Sequence, residues 1–296
     1  MYFGMDACNE SEVSTALAAQ ILKSTEGGTW YALVDAAFDH EARSLRWTHA
    51  VWPVYHCDEW AQMASVSPVI LELGHGDTTV LGNQLRPLLR HCKGRPMLSF
   101  LQSNNTAQQL RDHWQPFLSI TAADEEEFVL RFADTRICES LPKALAPEHW
   151  VRLTAPLNKW IIVNRMGQLQ QLPLPDPDAL PAGSLREPIT LSAEEFAQLL
   201  HFGQPDTLLN ALHENFEEFL PQKSRAATYE QMVKVCLLAQ AHRIEAFPDQ
   251  LALGAAVLVS DGQLLDEEKL LLWLIKRDWV DGQLDAALAK FMGVTP

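Results

Sequence analysis

Short, almost continuous apolar runs alternate with helical patterns in the first part of this sequence, and this alternation limits the possible folds more than any other feature. The runs are WYALVDAAF (30–38), PVILEL (68–73), PMLSFL (96–101) and EFVLRF (127–132). Helical patterns fill residues 56–65, 79–92 and 105–118 between them. Such runs are typical of strands that are buried on both faces. We therefore expect an α/β N-terminal lobe with a mixed or mostly parallel sheet flanked by helices.

A proline-rich segment ends this alternation. Before it, residues 159–172 predict a hairpin at one edge of the sheet, with Met166 and Gly167 near the turn. The segment itself, PLPDPDALPAGSLREP (173–188), contains five prolines and can continue neither a helix nor a strand. Every later pattern is helical, beginning with a capping box at Ser192 and Glu195. The predicted organisation is an α/β lobe over 1–172, a linker over 173–188 and an all-α C-terminal lobe over 189–296.

Charge and cysteine usage exclude several classes of protein. The formal net charge of −15 would repel a nucleic-acid backbone. The five cysteines are scattered, without a CxxC pair, as is typical of a reducing compartment. The N-terminus MYFGMDACNESEV lacks the features of a secretory signal, and the apolar runs are far shorter than the ~20 residues of a membrane helix. We expect a cytoplasmic protein that binds neither nucleic acid nor membrane.

Catalytic motifs with a strong spacing, such as GxSxG, HExxH, GxGxxG or a phosphate-binding loop, are absent from the sequence. Weaker candidates remain. Asp35 lies near the end of a buried strand, where α/β enzymes often place a catalytic carboxylate, although pairing with an arginine is the more common role. His75 and Asp77 lie in the loop GHGD, which could hold a metal or a phosphate or simply connect a strand to a helix. Ser103 could be a nucleophile, but Ser-Asn-Asn before a helix is an ordinary cap.

Two His-Cys dipeptides could in principle converge on zinc. They are His56-Cys57 and His91-Cys92, and zinc takes such ligands tetrahedrally. Adjacent residues usually point to different faces of an element, so a zinc site is the less favoured interpretation. No cofactor and no metal is predicted.

The stretch FVLRFADTR (128–136) places three charged residues, Arg131, Asp134 and Arg136, within or just beyond an apolar run. Together with YALVDAAF (31–38), VSPVILEL (66–73), LSFLQS (98–103) and LRDHWQPFLSI (110–120), the longer segment FVLRFADTRICESLPKAL (128–145) resembles the domain of unknown function 4123 (DUF4123), the family of type VI secretion effector adaptors or chaperones. The resemblance covers about residues 30–165. The three charged residues match the family pattern R-F-x-D-x-R, with Thr135 where proline is common, and Asp35 matches the acidic residue of the first strand.

The resemblance implies a function. It implies a cytoplasmic bacterial protein that is not an enzyme, and that binds the N-terminal region of a specific toxic effector and helps to mount it on the VgrG spike. It also implies that Asp35, Arg131, Asp134 and Arg136 form a structural core, in which arginine-carboxylate pairing fixes a strand-to-helix corner.

The apolar segment LLLWLI (270–275) is a candidate surface for a partner. We expect Leu272, Trp273 and Trp279 to contribute to an apolar patch that stays partly exposed in the free protein. Two alternatives to an adaptor remain. A hydrolase or transferase would use Asp35 with the arginines and Asp134, or the GHGD loop, at an open pocket. An immunity protein would neutralise a toxin by acidic complementarity, although its task rarely needs two lobes.

Overall fold

The computed structural model describes residues 2–24, 27–39, 45, 47, 50–74, 76–221 and 224–293. The chain divides into two compact units. The first, which we call the sheet unit, is Ala7–Phe202, and the second, the helical unit, combines Met1–Asp6 with Gly203–Pro296. The proline-rich segment 173–188 lies within the sheet unit, where it includes two short 3-10 helices, Pro177–Ala179 and Ala182–Arg186.

Eight strands lie in the described residues of the sheet unit. They are β1 Thr29–Asp35, β2 Val51–Pro53, β3 Pro68–Glu72, β4 Leu98–Ser103, β5 Ser119–Thr121, β6 Glu127–Val129, β7 Lys159–Val163 and β8 Leu169–Gln171. Six of them form one sheet in the order β2-β3-β1-β4-β7-β8, while β5 and β6 form a separate two-stranded sheet. Helices flank the sheet, so the predicted α/β class of the N-terminal part is confirmed.

Ten α-helices lie in the described residues, and two of them correspond to the helical patterns predicted at 79–92 and 105–118. The helices are α1 Glu10–Lys23, α2 Thr78–His91, α3 Ala107–Trp114, α4 Thr135–Ala144, α5 Pro147–Thr154, α6 Ala193–Phe216, α7 Arg225–Ala241, α8 Phe247–Val259, α9 Glu268–Lys276 and α10 Leu284–Phe291. The predicted helical pattern at 56–65 forms a 3-10 helix, Asp58–Val66. After Gly203 the described chain is helical, as the sequence predicts. None of the helices described here combines the length and apolar character that crossing a membrane requires.

The direction of the strands differs from the prediction of a mixed or mostly parallel sheet. Among the described residues, each neighbouring pair in the six-stranded sheet is antiparallel. Since β1 is antiparallel to both β3 and β4, the latter two are parallel to each other, joined through α2, with β1 between them. The alternation of strand and helix therefore produces a parallel pair whose members are not neighbours.

Burial on both faces explains why the middle of β1, residues 30–34, is apolar. Tyr31 and Leu33 pack into one large core, and the alternate residues Trp30, Ala32 and Val34, on the other face, are buried as well. An apolar run of this kind indicates that both faces of the sheet are covered. It does not indicate whether the strand is parallel or antiparallel to its neighbours.

The run EFVLRF is a strand over only its first half, which corrects the prediction of a fourth sheet strand there. Residues Glu127–Val129 form β6, which pairs with β5 rather than with the main sheet. The next residues continue inward without strand structure, and Leu130 and Phe132 are buried in the core. A turn at Phe132 and Ala133 follows, and Asp134 then caps helix α4.

The predicted hairpin at 159–172 is present as β7 and β8, at one edge of the sheet. Gly167 closes the turn with its N–H donating to the carbonyl of Asn164 at 2.9 Å. Its φ of +72° lies in the left-handed region, where glycine is favoured. A Cβ at this position would also lie 2.8 Å from Cα of Cys8.

The predicted capping box at Ser192 and Glu195 is present at the start of α6. The N–H of Glu195 donates to Oγ of Ser192 at 3.2 Å, and the N–H of Ser192 donates to Oε2 of Glu195 at 2.8 Å. The same carboxylate reaches α5, because its Oε1 accepts the N–H of Ala146 at 2.7 Å and lies 2.6 Å from Nδ1 of His149. Glu195 thus joins the N-terminal ends of two helices within the sheet unit.

The helical unit has its own apolar core, to which Leu209, Leu212, Met232 and Leu253 contribute among others. The first residues of the chain belong to it. Asp6 caps helix α7, where its Oδ1 accepts the N–H of Arg225 at 2.7 Å. Tyr2 is buried in the same core and donates its hydroxyl to the carbonyl of Pro221 at 2.9 Å.

Candidate functional site

The first member of the candidate site, Asp35, is the last residue of the central strand β1. Its backbone N–H donates to the carbonyl of Met97 at 2.9 Å, which fixes it against the segment before β4. Its side chain is 2% exposed. One carboxylate oxygen, Oδ2, accepts Nη2 of Arg131 at 2.7 Å, and the other, Oδ1, accepts the N–H of Ala37 at 3.0 Å. Both carboxylate oxygens therefore have a donor from the protein.

The second carboxylate, Asp134, is fully buried and begins helix α4. Its Oδ1 accepts the backbone N–H of Arg136 at 3.1 Å, the usual role of an N-cap aspartate. The side chain of Arg136 binds the same carboxylate in a bidentate manner, with Nε–Oδ1 at 3.0 Å and Nη2–Oδ2 at 2.7 Å. Nη2 of Arg131 lies 3.8 Å from Oδ2 of Asp134. We call Asp35, Arg131, Asp134 and Arg136 the ionic core.

The aromatic ring of Phe38 also belongs to this arrangement, although no motif in the sequence indicates that it would. The guanidinium carbons of Arg131 and Arg136 lie 5.2 Å and 5.6 Å from the centre of the Phe38 ring. Both distances are within the range of a cation–π contact. Phe38 follows β1 on the 3-10 turn Ala36–Asp39, so the end of one strand supplies both a carboxylate and an aromatic face to the arginines.

The electrostatics of the ionic core are dominated by burial. Burial raises the pKa of Asp35 above its ordinary value of 3.8, against the opposing pull of the Arg131 guanidinium. The Arg131 side chain is 37% exposed, and water weakens its attraction for the carboxylate. Burial, with a contribution from the Asp35 charge, also raises the pKa of the Tyr55 hydroxyl to about 12.

A second ionic cluster lies just beyond the first. Asp39 lies 2.9 Å from Nε2 of His91 and accepts Nη1 of Arg95 at 2.8 Å. Arg95 also donates to the carbonyls of Phe38 and His91. This cluster ties the 3-10 turn after β1 to the C-terminal end of α2. The sequence does not indicate it, because Asp39 and Arg95 are far apart in the chain and neither lies in a recognisable motif.

The two His-Cys dipeptides considered as zinc ligands do not share a binding partner. Nδ1 of His56 lies 3.1 Å from the carbonyl of Val54, and the Cys57 thiol donates to the side chain of Gln115 at 2.8 Å. His91 binds Asp39 instead, and Cys92 is buried. In the described part of the chain, no group of three or more His, Cys, Asp or Glu side chains is arranged to hold a metal ion.

The remaining candidates from the sequence have local hydrogen bonds. Asp77 caps α2, accepting the N–H groups of Thr79 and Val80 at 2.9 Å and 3.0 Å. Its predicted companion His75 lies outside the described residues. Ser103 is buried, donates its hydroxyl to the carbonyl of Pro156 and accepts the N–H of Asn105.

The candidate partner surface is at α9 in the helical unit. Leu272 is 55% exposed, while Trp273 and Trp279 are half-buried. The two indoles stack with ring centres 5.2 Å apart. Leu270 and Leu274, on the opposite side of the helix, are buried.

Comparison with protein families finds one match. Residues 30–152 match the model of DUF4123, described as a domain of unknown function. The matched region contains all four residues of the ionic core and Phe38, and it confirms over these residues the resemblance that the motifs indicate. Neither the curated proteins nor the solved structures that were searched contain a match to the chain.

Proposed function

We propose, from the DUF4123 match over residues 30–152, that this protein is a non-catalytic adaptor of a type VI secretion system. In this role it binds the N-terminal region of a toxic effector in the cytoplasm of the producing bacterium and helps to load that effector onto the VgrG spike. The family match is the observation that carries the proposal, since the resemblance of the chain to effector adaptors implies this role.

The geometry of the ionic core supports a scaffold role for the matched domain. A general base or nucleophile needs a carboxylate oxygen that can reach a substrate. Both oxygens of Asp35 and both oxygens of Asp134 instead accept hydrogen bonds from the protein, and both side chains are almost completely buried. Such an arrangement holds the end of β1 to the start of α4, and it leaves partner binding to surfaces elsewhere.

The hydrolase alternative requires an open pocket at Asp35, Arg131 and Asp134. One cavity in the sheet unit, of about 290 Å³, is lined by residues that include Lys159 and Gln171. A second, of about 310 Å³, is lined by Gly74 and Gly76 of the GHGD loop together with residues such as Trp30, while Asp77 of that loop is engaged in capping α2. Arg131 is the most exposed member of the ionic core, and its guanidinium is already bound to Asp35. These contacts favour the adaptor over an enzyme.

Affinity capture from the producing cells tests the proposal. The chain, tagged and expressed at its natural level, is purified under mild salt, and the bound proteins are identified by mass spectrometry. We expect one spike protein and one large toxin. Because the chain carries a net charge of −15, a soluble protein of similar charge serves as the control for non-specific capture of basic proteins.

Deletion of the gene gives a second measurement of the same proposal. Cells without the adaptor should still secrete the spike but should lose the captured toxin from the culture medium. Recovery of neither a spike nor a toxin, or unchanged toxin secretion after deletion, would contradict the adaptor function.

A further inference from the structure

Strand β6 has one free edge. It pairs with β5 on one side, and among the described residues no strand lies on its other side. The N–H of Leu130 donates to the carbonyl of Leu118 at 3.0 Å, just beyond the two strands. Bonded and non-bonded pairs alternate along an antiparallel ladder, so the N–H and C=O groups of Glu127 and Val129 face away from β5.

These outward backbone groups have no hydrogen-bond partner among the residues that the structure describes. Val129 is 37% exposed, and Glu127 is exposed as well. Unpaired N–H and C=O groups along an accessible edge are a template for a further strand. The half-buried ring of Phe128 packs on the half-buried ring of Phe196, with ring centres 5.2 Å apart, and gives this edge an apolar neighbour.

An acidic run lies at the turn of the same hairpin. Its four members are all exposed, and none of them forms an ion pair with a described residue: Asp124, Glu125, Glu126 and Glu127. Glu125 has a φ of +69°, in the left-handed region where a hairpin turn favours glycine. Because glycine would suit this backbone better, the geometry of the turn does not explain the acidic side chain.

The other charged groups near the hairpin do not neutralise this run. Arg131, just beyond β6, is bound to Asp35. Arg186 precedes the segment 189–191, which bonds to the opposite edge of β5. Glu194, in the first turn of α6, adds a further exposed acid. Among the described residues, the free edge of β6 is therefore flanked by negative charge.

We propose that the free edge of β6 binds an extended, basic peptide segment of a partner protein, which adds to β6 as a further strand. The unpaired backbone groups recognise the extended conformation, and the acidic run selects lysine or arginine side chains. A second copy of this chain is a poorer occupant, because it carries the same net charge of −15. The proposed adaptor function does not say which surface a partner uses, and this inference goes beyond it.

The other edge strands lack this selection. The main sheet ends at β2, with the sequence VWP, and at β8, with the sequence LQQ, and neither strand contains a charged residue. Binding at β6 is weak by itself, because the strand is only three residues long. We expect a dissociation constant on the order of 100 μM, which rises with salt because the charges are exposed.

A synthetic peptide tests the proposal. The probe has about nine residues, in which lysine alternates with valine, and the control has glutamate in place of lysine. In about 50 mM salt the lysine peptide should bind and should slow hydrogen exchange of the amides of Glu127 and Val129, whereas the glutamate peptide should not bind. Slower exchange elsewhere in the chain, with none at these two amides, would contradict the proposal.

The variant Val129→Pro tests the edge directly. Since the N–H of Val129 faces away from β5, proline removes no hydrogen bond from the hairpin, but its ring blocks a further strand. The affinity for the lysine peptide should fall about tenfold or more. Val129→Thr keeps the N–H and should bind as the wild type does. Circular dichroism verifies that each variant is folded.

Neutralising the acidic run tests the charge. The variant changes three neighbouring acids, Glu125→Gln/Glu126→Gln/Glu127→Gln, and should weaken binding about tenfold at low salt. The matched control makes the same change in net charge at three neighbouring exposed acids of the helical unit, Asp266→Asn/Glu267→Gln/Glu268→Gln. It should leave the affinity unchanged.

No binding of the lysine peptide at about 1 mM would overturn the inference. Binding that survives Val129→Pro would do so as well, and so would an equal loss of affinity in both triple variants, which would show a response to net charge alone. A dimer of the free chain that Val129→Pro abolishes would show that a second copy occupies the edge instead. None of these results bears on the adaptor function, which the capture and deletion experiments test separately.

Discussion

Arg131 donates to Asp35 across a sequence separation of 96 residues, with Nη2 of the guanidinium 2.7 Å from Oδ2 of the carboxylate. This single contact joins the end of the central strand β1 to the segment that precedes α4. Asp134 and Arg136 complete the junction from the first turn of that helix. The four residues therefore determine where α4 leaves the sheet, and the first two stability predictions concern this junction.

Replacement of Asp134 by alanine should destabilise the protein by about 3 kcal/mol, because the change leaves the largely buried guanidinium of Arg136 without its carboxylate. The measurement is urea unfolding followed by tryptophan fluorescence. Asp58→Ala, which changes an exposed aspartate, should leave the midpoint unchanged. A wild-type midpoint for Asp134→Ala, combined with loss of a measurable activity, would instead favour the hydrolase alternative.

Replacement of Asp35 by asparagine should change how stability depends on pH. Burial raises the pKa of Asp35 in the folded protein, so the folded state holds its proton more tightly than the unfolded state does. The contribution of this carboxyl group to the free energy of unfolding therefore falls as the pH rises from about 3.8 through the raised pKa of Asp35. The difference in stability between Asp35→Asn and the wild type should shift in favour of the variant over this range. A difference that is constant with pH would show that the pKa of Asp35 is not raised.

Glu195 should have the opposite dependence on pH. Burial by itself would raise its pKa, but hydrogen bonds from Ala146, Ser192 and His149 outweigh burial and hold the pKa below the ordinary 4.5. Its contribution to stability is present above that value and is lost as pH falls through the lowered pKa. Glu195→Gln should therefore cost about 2 kcal/mol at neutral pH and progressively less in acid. Denaturation curves at several pH values measure this, with Glu194→Gln on the exposed side of the same turn as the control.

Alanine substitutions at two glycines distinguish the cost of a strained backbone conformation from the cost of a steric clash. Gly94 has a φ of +68° and open space around its Cα, so Gly94→Ala should cost about 1 kcal/mol from the left-handed conformation. Gly167 has a similar φ of +72°, but its added Cβ would meet the backbone of Cys8 at 2.8 Å. A backbone atom cannot rotate away, so Gly167→Ala should cost about 3 kcal/mol. Equal effects in thermal denaturation would show that the contact with Cys8 relaxes freely.

Local chemistry in the sequence was sufficient to predict several features. The capping box of Ser192 and Glu195 and the turn at Gly167 both depend on residues within a few positions of each other. The helical period after the proline-rich segment predicted the helices of the second unit for the same reason. The motif of Arg131, Asp134 and Arg136 carries the resemblance to DUF4123, which the family match over residues 30–152 supports.

Contacts between segments that are distant in the sequence could not be predicted from such local patterns. The ring of Phe38 contacts two arginines about a hundred residues later in the sequence, and Asp39 binds His91 and Arg95. None of these residues carries a spacing that indicates its partner. Glu195 likewise reaches His149 on another helix in addition to its predicted cap.

The sequence by itself determined which segments form strands and helices for most of the chain, because apolar periodicity reports which faces of a segment are buried. The tertiary structure alone decided that the sheet is antiparallel, that β1 separates β3 from β4, and that the run after Val129 leaves the strand. Strand direction depends on the path of the connections, and an apolar run looks the same in either direction. The same limit explains why the four charged residues could be recognised from the sequence, whereas their pairing, Asp35 with Arg131 and Asp134 with Arg136, required the folded chain.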